Sequence, residues 1–407
     1  MTKKQSGFAE LAKESSLYPQ EKLMPVRQGK YSFVIGMPNE ISMQECRITL
    51  TPDAVGLLVN NGHEVWIEAN AGESSKFSDK DYSEAGAKIL YSVEEVYKAK
   101  VILKIEPPTM EEIELMQHGQ ALISALQLGN QTPAFIKALN KKHITALAYE
   151  FIEDKVGGMP IIRAMSEIAG NTVMSIASEY LSSSSGGKGV ILGGITGVPP
   201  AKVVIIGAGT VAEYAARAAI GLGADIQVFD NHIYKLRRIK HALGRQIHTS
   251  TIDTKTLRDS LVQADVVIGA LRPEKGRNRY VVTEEMVAQM KPDSIIIDLT
   301  IDQGGCVETS ELTSLSKPTF KKFDVIHYCV PNVASRVALT ASTALSNIFT
   351  PTILRAADEG GLEEMIYSHH WFMKGVYTFK GTLTNEHIGR KFGMKHTDIG
   401  LLLAARF

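Results

Sequence analysis

The stretch "KVVIIGAGTVAEYAARAAIGLGADIQVFD", residues 202–230, decides the fold of this chain. An apolar run typical of a buried strand leads into Gly207-x-Gly209-x-x-Ala212, and an alanine-rich helical segment follows. A second apolar run then ends in Asp230. Strand, glycine turn, helix and returning strand together predict one βαβ unit of a parallel sheet.

The spacing inside this unit indicates a dinucleotide site. Gly207 permits a tight turn, Gly209 lets the backbone approach a pyrophosphate, and Ala212 lets the helix pack closely on the strand. The helix N-terminus offers N–H groups to the phosphates, and Asp230, about 20 residues after the glycines, suits the ribose diol of NAD. Two alternatives stay open: a plain βαβ unit with a glycine turn, and NADP, because "KLRRIK" (235–240) could bind a phosphate.

Strand-like and helical segments alternate on both sides of this unit, which predicts an α/β fold. Continuous Val/Ile runs suggest strands buried on both faces, as in parallel sheets. A first series of predicted strands lies at 32–38, 63–69, 99–105, 120–126 and 144–150. A second series lies at 201–207, 225–230, 264–270, 294–300 and 324–330. We therefore expect two Rossmann-like domains, each a doubly wound parallel sheet.

Two long helical stretches, 165–182 and 333–360, separate the two series, and Pro351 is expected to kink or break the second. Residues 361–407 are too few for a further domain, so the second domain is predicted to be inserted into the first. The expected organisation lists an N-terminal extension (1–31), the first part of a substrate domain (32–164), an NAD-binding domain with its connecting helix (165–335), and a second connecting helix with the return to the substrate domain (336–407).

Composition limits the class of protein. The chain has 407 residues, a formal net charge of zero and 44% apolar residues, so it is long enough for two cores and shows no basic run for nucleic acid. Its three cysteines are far apart, which favours a reducing cytoplasm over a disulfide framework. No segment has the apolar length of a membrane span, and no metal-ligand spacing is present.

Polar residues at predicted strand ends are the candidates for chemistry. "LKIEPP" (103–108) puts Lys104 and Glu106 two residues apart, so in a strand their side chains would share one face. "SIIIDLTIDQGGC" (294–306) carries Asp298 and Asp302, which could accept a proton or cap a turn. Asn332, in "HYCVPNVAS", could bind a nicotinamide ribose or cap the next helix.

The chain resembles the alanine dehydrogenase family, which is related to the NAD-binding subunit of proton-translocating transhydrogenase. The resemblance runs from about residue 32 to 390 and is carried by "ECRITLTPDAV" (45–55), "AMSEIAG" (164–170), "GVPPAKVVIIGAGT" (197–210), "DLTIDQGGC" (298–306) and "YCVPNVAS" (328–335). It implies an inserted NAD domain, a small amino-acid or oxo-acid substrate and a homo-oligomer, often a hexamer.

The resemblance also implies roles for single residues, and two of them are altered here. The substrate-carboxylate arginine falls on Arg47, the catalytic aspartate on Asp302, and the two cofactor-side residues on Ser166 and Asn332. The family's "LKVKEP" keeps its first lysine as Lys104, but the second, which holds the substrate, is Glu106. The family's substrate histidine falls on Gln127, which cannot change charge near neutral pH.

These observations leave three functional hypotheses. The first is an NAD-dependent alanine dehydrogenase, which interconverts L-alanine with pyruvate and ammonia. The second is a divergent enzyme of the same fold acting on another amino acid or an imine conjugate. The third is an NAD-binding sensor or scaffold that has lost catalysis, because a glutamate in place of a lysine would repel an anionic substrate.

Overall fold

The computed structural model describes residues 31–42, 44–271 and 280–404. Within them the chain folds into two β-sheets, one of eight strands and one of seven, with helices packed on their faces. The predicted N-terminal extension, apart from Tyr31, lies outside the described residues.

The first sheet has the order β15-β14-β6-β5-β4-β1-β2-β3. Its pairs from β3 to β6 are parallel, whereas β14 runs antiparallel to β6 and β15 antiparallel to β14. The strands are β1 (Val34–Met37), β2 (Glu64–Glu68), β3 (Lys88–Leu90), β4 (Val101–Leu103), β5 (Ala121–Ser124), β6 (Thr145–Ala148), β14 (Val376–Phe379) and β15 (Thr382–Leu383). The last two strands bring the end of the chain back to the sheet where it began.

The second sheet has the order β12-β13-β11-β10-β7-β8-β9 and is parallel except for its edge strand β12. Its strands are β7 (Lys202–Ile206), β8 (Asp225–Phe229), β9 (His248–Ser250), β10 (Val266–Gly269), β11 (Ile295–Asp298), β12 (Thr319–Lys322) and β13 (Val325–Tyr328). The six parallel strands have the order of a dinucleotide-binding Rossmann fold. The predicted fold class, with one domain inserted in the other, is confirmed.

Every strand predicted from the sequence is present, with shorter ends. The sequence missed β3, β9, β12, β14 and β15, each two to four residues long. Such short segments carry too little periodicity to be recognised, because their place in the sheet is set by the strand beside them.

The α-helices fill the connections between strands. In the first domain they are Pro52–Asn60, Asp79–Glu84, Val93–Val96, Met110–Leu115, Pro133–Lys141, Leu362–Ser368, His370–Met373, Glu386–Phe392 and Ile399–Ala404. In the second domain they are Thr210–Gly221, Ile233–Leu243, Thr254–Gln263 and Glu284–Val287.

Two long helices connect the domains: Pro160–Leu181 and Ala338–Glu359. The first crosses the helix after the glycine loop so closely that a Cβ on Gly170 would lie 2.5 Å from the carbonyl oxygen of Val211. The second continues through Pro351, so the predicted break is wrong. Pro351 is exposed, where water can bond the carbonyl that the missing N–H leaves free. The predicted domain boundaries at 164 and 335 fall inside helical segments and stay predictions.

One described helical segment, Val333–Glu359, is long and apolar enough by length and composition to cross a membrane. Leu345, Phe349 and Ile353 of this segment lie in the core of the first domain. Core helices often pass such a composition test, so it is weak evidence for a membrane span.

Candidate functional site

The glycine turn at the end of β7 has the geometry that its sequence predicts. Gly207 has a φ of 109°, and a Cβ there would lie 2.5 Å from the carbonyl oxygen of Ala270. Both the backbone angle and the close approach exclude a side chain. Ala212 is fully buried one turn into the following helix, where the small side chain lets helix and sheet pack together.

Gly209 forms the start of the helix Thr210–Gly221, and no side chain caps its N–H groups. A Cβ on Gly209 would meet no atom within 4 Å, so this backbone borders open space. Gly209 and Thr210 line a cavity of about 540 Å³. An uncapped helix N-terminus beside a cavity of this size fits a pyrophosphate.

Asp230 lies at the end of β8 in the same cavity. It is almost fully buried, and its carboxylate accepts hydrogen bonds from the backbone N–H groups of Ala208 (2.8 Å) and His232 (2.8 Å). The carboxylate therefore fixes the glycine loop, and its further lone pairs can accept from a ribose.

Lys235 and Arg238, two of the three cationic residues that line the cavity, follow Asp230 in the chain. Arg238 is engaged by the protein: it donates to Glu213 (2.9 Å) and to the carbonyl oxygen of Ala208 (2.9 Å). The cavity thus contains a carboxylate that suits the ribose of NAD and cations that suit the additional phosphate of NADP. The alternative cofactor NADP, left open by the sequence, is therefore still consistent with the structure.

Ser166, on the first connecting helix, also lines the cavity. The structure thus brings together Ser166, Gly209 and Asp230, which the sequence predicted as cofactor-side residues. These groups fit a dinucleotide: an uncapped helix end, a glycine facing open space and a buried carboxylate. Met159 and Arg163 also line the cavity, and sequence reasoning missed them.

Arg47 lies at the junction of the two domains and is buried. Its guanidinium forms a two-point contact with Glu45, Nε to Oε1 at 2.7 Å and Nη2 to Oε2 at 2.6 Å. Nη1 lies 3.2 Å from the Sδ of Met165 on the first connecting helix. Burial alone would lower the pKa of Arg47, but Glu45 raises it above its ordinary value, so Arg47 stays a cation.

Asn332 meets the same carboxylate from the inserted domain. Its Nδ2 donates to Oε2 of Glu45 at 2.7 Å, and the hydroxyl of Ser335 donates to Oε1 at 3.2 Å. Asn332 has a left-handed backbone (φ 57°) in the loop after β13. Its side chain makes no cap for the following helix, so the capping alternative is not seen.

Lys104 differs from the sequence expectation. The strand predicted over 99–105 ends at Leu103, so strand alternation does not set the directions of Lys104 and Glu106. The ammonium of Lys104 is buried, 2.6 Å from Glu112 and 3.8 Å from Glu40. Two carboxylates already neutralise this lysine, which leaves it little freedom to receive a substrate.

Glu40 binds the backbone that follows the end of β4. Its carboxylate accepts from the backbone N–H groups of Ile105 (2.5 Å) and Glu106 (3.3 Å). Burial raises the pKa of Glu40 to about 7, and Lys104 only partly opposes this. The carboxyl of Glu40 therefore gains or loses a proton near neutral pH.

Glu106 is partly buried in the same region. Burial, followed by the nearby charge of Glu45, raises the pKa of Glu106, while Arg47, Lys104 and the hydroxyl of Ser42 act in the opposite direction. Glu106 thus lies within electrostatic range of Arg47. Four carboxylates, those of Glu40, Glu45, Glu106 and Glu112, surround two cations here, which makes this side of the junction acidic.

The loop after β11 separates the two predicted aspartates. Asp298 is buried and accepts from the N–H and hydroxyl of Thr300 (3.0 and 2.8 Å) and from the N–H of Cys306 (3.1 Å). It holds the loop in shape. Asp302 lies on the exposed 3-10 turn Ile301–Gln303 of that loop, and its role in catalysis stays a prediction.

Gln127 lies beyond the end of β5 with a left-handed backbone (φ 46°) and an exposed side chain. The backbone N–H groups of Leu126 and Gln127 both donate to Glu150, at 2.7 and 3.1 Å. This carboxylate fixes the loop, while the side chain of Gln127 stays outside the buried ion cluster around Arg47.

Sequence reasoning missed three carboxylates that complete the site: Glu40, Glu45 and Glu112. Glu45 could have been recognised from its position two residues before Arg47, because Lys104 and Glu106 were singled out for the same spacing of an acid and a base. Across the described residues no cluster of His, Cys, Asp or Glu could hold a metal ion, and all three cysteines are free.

Comparison with protein families matches both halves of the chain. Residues 36–169 match the model described as "Alanine dehydrogenase/PNT, N-terminal domain", and residues 173–386 match "Alanine dehydrogenase/PNT, C-terminal domain". The boundary between the two matches falls inside the first connecting helix.

Individual relatives match along most of their length. The chain is 39% identical over 372 residues to the alanine dehydrogenase of Mycolicibacterium smegmatis, covering 91% of this chain and 100% of the relative. It is 37% identical over 364 residues to that of Bacillus subtilis, covering 89% and 96%.

Two solved structures show the same arrangement of domains. An L-alanine dehydrogenase superimposes with a TM-score of 0.82 at 35% identity, covering 88% of this chain and 98% of that one. A transhydrogenase from Sinorhizobium meliloti superimposes with a TM-score of 0.74 at 23% identity, covering 87% and 99%, which is a likeness of fold alone.

Proposed function

The chain belongs to the alanine dehydrogenase/PNT family, and from that premise we propose that it is an NAD-dependent L-amino-acid dehydrogenase. The reaction converts an L-amino acid, NAD⁺ and water into a 2-oxo acid, ammonium, NADH and a proton. Alanine and pyruvate are the default pair.

One observation carries this proposal: a buried cation, Arg47, lies at the domain junction in a hydrogen-bonded cluster that also contains Asn332 of the inserted domain. A substrate carboxylate held by Arg47 would lie between the two domains, beside the first connecting helix, where Met165 contacts Arg47 and the next residue, Ser166, lines the cavity. A bound nicotinamide would supply the acceptor for a hydride from the substrate Cα.

The chain's own residues would divide the remaining work. Arg47 binds the substrate carboxylate through Nη1 and the second N–H of Nη2, because Glu45 holds Nε and the first N–H of Nη2. Asp302 takes up and returns a proton at the reacting amino group. Gly207, Gly209 and Asp230 hold the adenosine and pyrophosphate part of the cofactor, while Ser166 and Asn332 lie towards its nicotinamide side.

A second candidate is favoured by Glu106. This carboxylate adds negative charge beside Arg47, which disfavours a small anionic oxo acid and suits a substrate with a second, cationic group. An amino acid with an ammonium or guanidinium on its side chain is such a substrate. The remaining hypothesis is an NAD-binding sensor without turnover.

Steady-state turnover distinguishes these functions. The purified chain is assayed with NAD⁺ against alanine, small apolar amino acids, lysine, ornithine and arginine. Turnover of alanine supports the first function, turnover restricted to the cationic amino acids supports the second, and NAD(H) binding without any turnover supports the sensor.

The role of Arg47 is tested by Arg47→Gln, which should raise the KM of the oxo acid by about ten- to a hundredfold through loss of a charge-assisted contact. Arg390→Gln is the control, because Arg390 forms an exposed ion pair on a helix of the first domain and should leave KM unchanged. Circular dichroism and NADH titration show whether each variant is folded. An unchanged KM in a folded Arg47→Gln variant would remove Arg47 from the substrate site.

We further propose a cytoplasmic homo-oligomer, a hexamer by analogy with the family. The three free cysteines suit a reducing compartment. Light scattering of the purified chain measures its mass, and a monomer would contradict the oligomer.

A further inference from the structure

Glu45 is the centre of the domain junction. Its side chain has no exposed surface. It accepts hydrogen bonds from five donors: the backbone N–H of Arg47 (2.9 Å), Nε and Nη2 of Arg47 (2.7 and 2.6 Å), Nδ2 of Asn332 (2.7 Å) and Oγ of Ser335 (3.2 Å). Both carboxylate oxygens are therefore shared between the two domains.

The shared carboxylate links two groups that meet only through it among the described contacts. Arg47 belongs to the outer domain, and Asn332 follows β13 of the inserted domain. In the arrangement seen, Asn332 presents its Nδ2 donor and Arg47 its N–H donors, and the carboxylate between them accepts from both. Oε2 of Glu45 receives one bond from each, at 2.6 and 2.7 Å. Any movement of Asn332 therefore acts on the guanidinium through one rigid acceptor.

We propose that Glu45 is a positioning residue that couples substrate binding at Arg47 to cofactor binding at the inserted domain through Asn332. This inference rests on the proposed roles of Arg47 and Asn332. Cofactor binding that holds Asn332 in place also holds Glu45, and Glu45 then fixes the plane of the guanidinium that receives the substrate carboxylate. By linkage, the substrate must strengthen cofactor binding by the same factor.

Glu45→Gln removes this coupling while keeping the size of the side chain. The amide offers one acceptor oxygen and one NH₂ group, and the NH₂ group would face N–H donors of Arg47 or Asn332. If the amide oxygen stays with Arg47, the NH₂ group faces Asn332, which keeps a contact only by turning its own amide over to present Oδ1; both contacts are then made by a neutral amide and are weaker. Because only one acceptor oxygen remains, the guanidinium is no longer held at two points, and the loss of charge weakens the contact that is left.

The experiment measures NADH dissociation constants by fluorescence, with and without a saturating 2-oxo acid and without ammonium, so that no turnover occurs. The oxo acid is pyruvate, or the oxo acid of lysine, ornithine or arginine if the turnover assay selects a cationic amino acid. In the unaltered protein, this oxo acid should tighten NADH binding by about tenfold, within the usual range of coupling factors. In Glu45→Gln the factor should fall to about one. A factor near one in the unaltered protein, or an unchanged factor in Glu45→Gln, overturns the proposal.

Asp265→Asn is the matched control for a lost buried carboxylate. Asp265 accepts from Lys188 (2.7 Å), Lys291 (3.1 Å) and the backbone N–H of Lys202 (2.9 Å), just before β10, at the opposite edge of the sheet from the glycine loop. Its variant should lose thermal stability but keep the coupling factor. A purely structural role for Glu45 would give the same pattern as this control.

A second variant, Asn332→Ala, keeps the proposal testable if Glu45→Gln does not fold. It leaves the Arg47–Glu45 contact intact, so binding of the oxo acid without cofactor should not change, whereas the coupling factor should fall to about one. Coupling retained in this variant contradicts the proposal. If the unaltered protein turns over an amino acid but the coupling factor is unchanged in the variants, this inference is refuted and the proposed function stands. If the unaltered protein shows no turnover, the proposed function alone is refuted.

Discussion

Glu106 offers the sharpest test of how this site selects its substrate. We expect Glu106→Lys with Gln127→His to raise alanine oxidation, because the two changes restore the lysine and histidine that the family resemblance implies. Glu106 lies near Glu45 and Arg47, in a cluster where four carboxylates surround two cations. The substitution replaces a negative charge by a positive one.

The magnitude follows from Coulomb's law. Two unit charges interact by about 4 kcal/mol at 4 Å with an effective dielectric of 20, and by about half of this at twice the distance. Glu106 is partly exposed, so solvent reduces each step, Glu106→Gln and then Gln→Lys, to about 1 kcal/mol. Both steps together predict a rise in kcat/KM for alanine of about ten- to a hundredfold.

The assay follows NADH formation from alanine in the unaltered protein, in Glu106→Gln, in Glu106→Lys and in the double variant. The neutral variant should fall between the two charged ones if charge is the cause. Thermal melts verify that the cation near Arg47 has not unfolded the junction. Alanine turnover by the unaltered protein equal to that of the double variant would refute the reasoning, as would equal effects of Gln and Lys at position 106.

Three further predictions concern the cofactor and the buried charges. Asp230→Ala should weaken NAD(H) binding by about ten- to a hundredfold and reduce the preference for NAD(H) over NADP(H), since one charged acceptor is lost. Fluorescence titration measures the dissociation constants of both cofactors. Tighter binding of NADP(H) than of NAD(H) by the unaltered protein would contradict this prediction. Lys104→Met should lower the free energy of unfolding by about 3–5 kcal/mol, because two buried carboxylates lose their cation. The control Lys80→Met, in an exposed pair, should cost less than about 1 kcal/mol, and similar urea melts for the two would oppose this reading. Burial raises the pKa of Glu40 from 4.5 to about 7. The protonated carboxyl of Glu40 therefore stabilises the folded state below pH 4.5, and this stabilisation is lost as pH rises through 7. Relative to Glu40→Gln, the free energy of unfolding of the unaltered protein should fall by on the order of 3 kcal/mol across this range. A difference that does not change with pH would show that Glu40 does not titrate there.

The glycine turn and the elements around it were largely readable from the sequence. Gly207, Gly209, Ala212 and Asp230 lie within one βαβ unit, so their relative positions follow from local geometry: a strand, a turn that needs positive φ, and a helix of known pitch. The apolar runs likewise predicted the main strands, because strands buried on both faces need continuous Val and Ile. Here the sequence alone determined the element order, the fold class and the edge of the sheet at which the cavity forms.

Only the tertiary structure decided what surrounds Arg47 and Lys104. Glu45 and Asn332 are 287 residues apart, and their contact depends on how two independently built domains meet at the connecting helices. The burial of Lys104 between Glu40 and Glu112 depends on a helix and a loop that pack over the end of β4. Periodicity in a sequence records which way neighbouring residues point, because bond geometry repeats along the chain. It does not record which distant side chain will occupy the same buried space, because that is set by packing and by pairing of charges away from water.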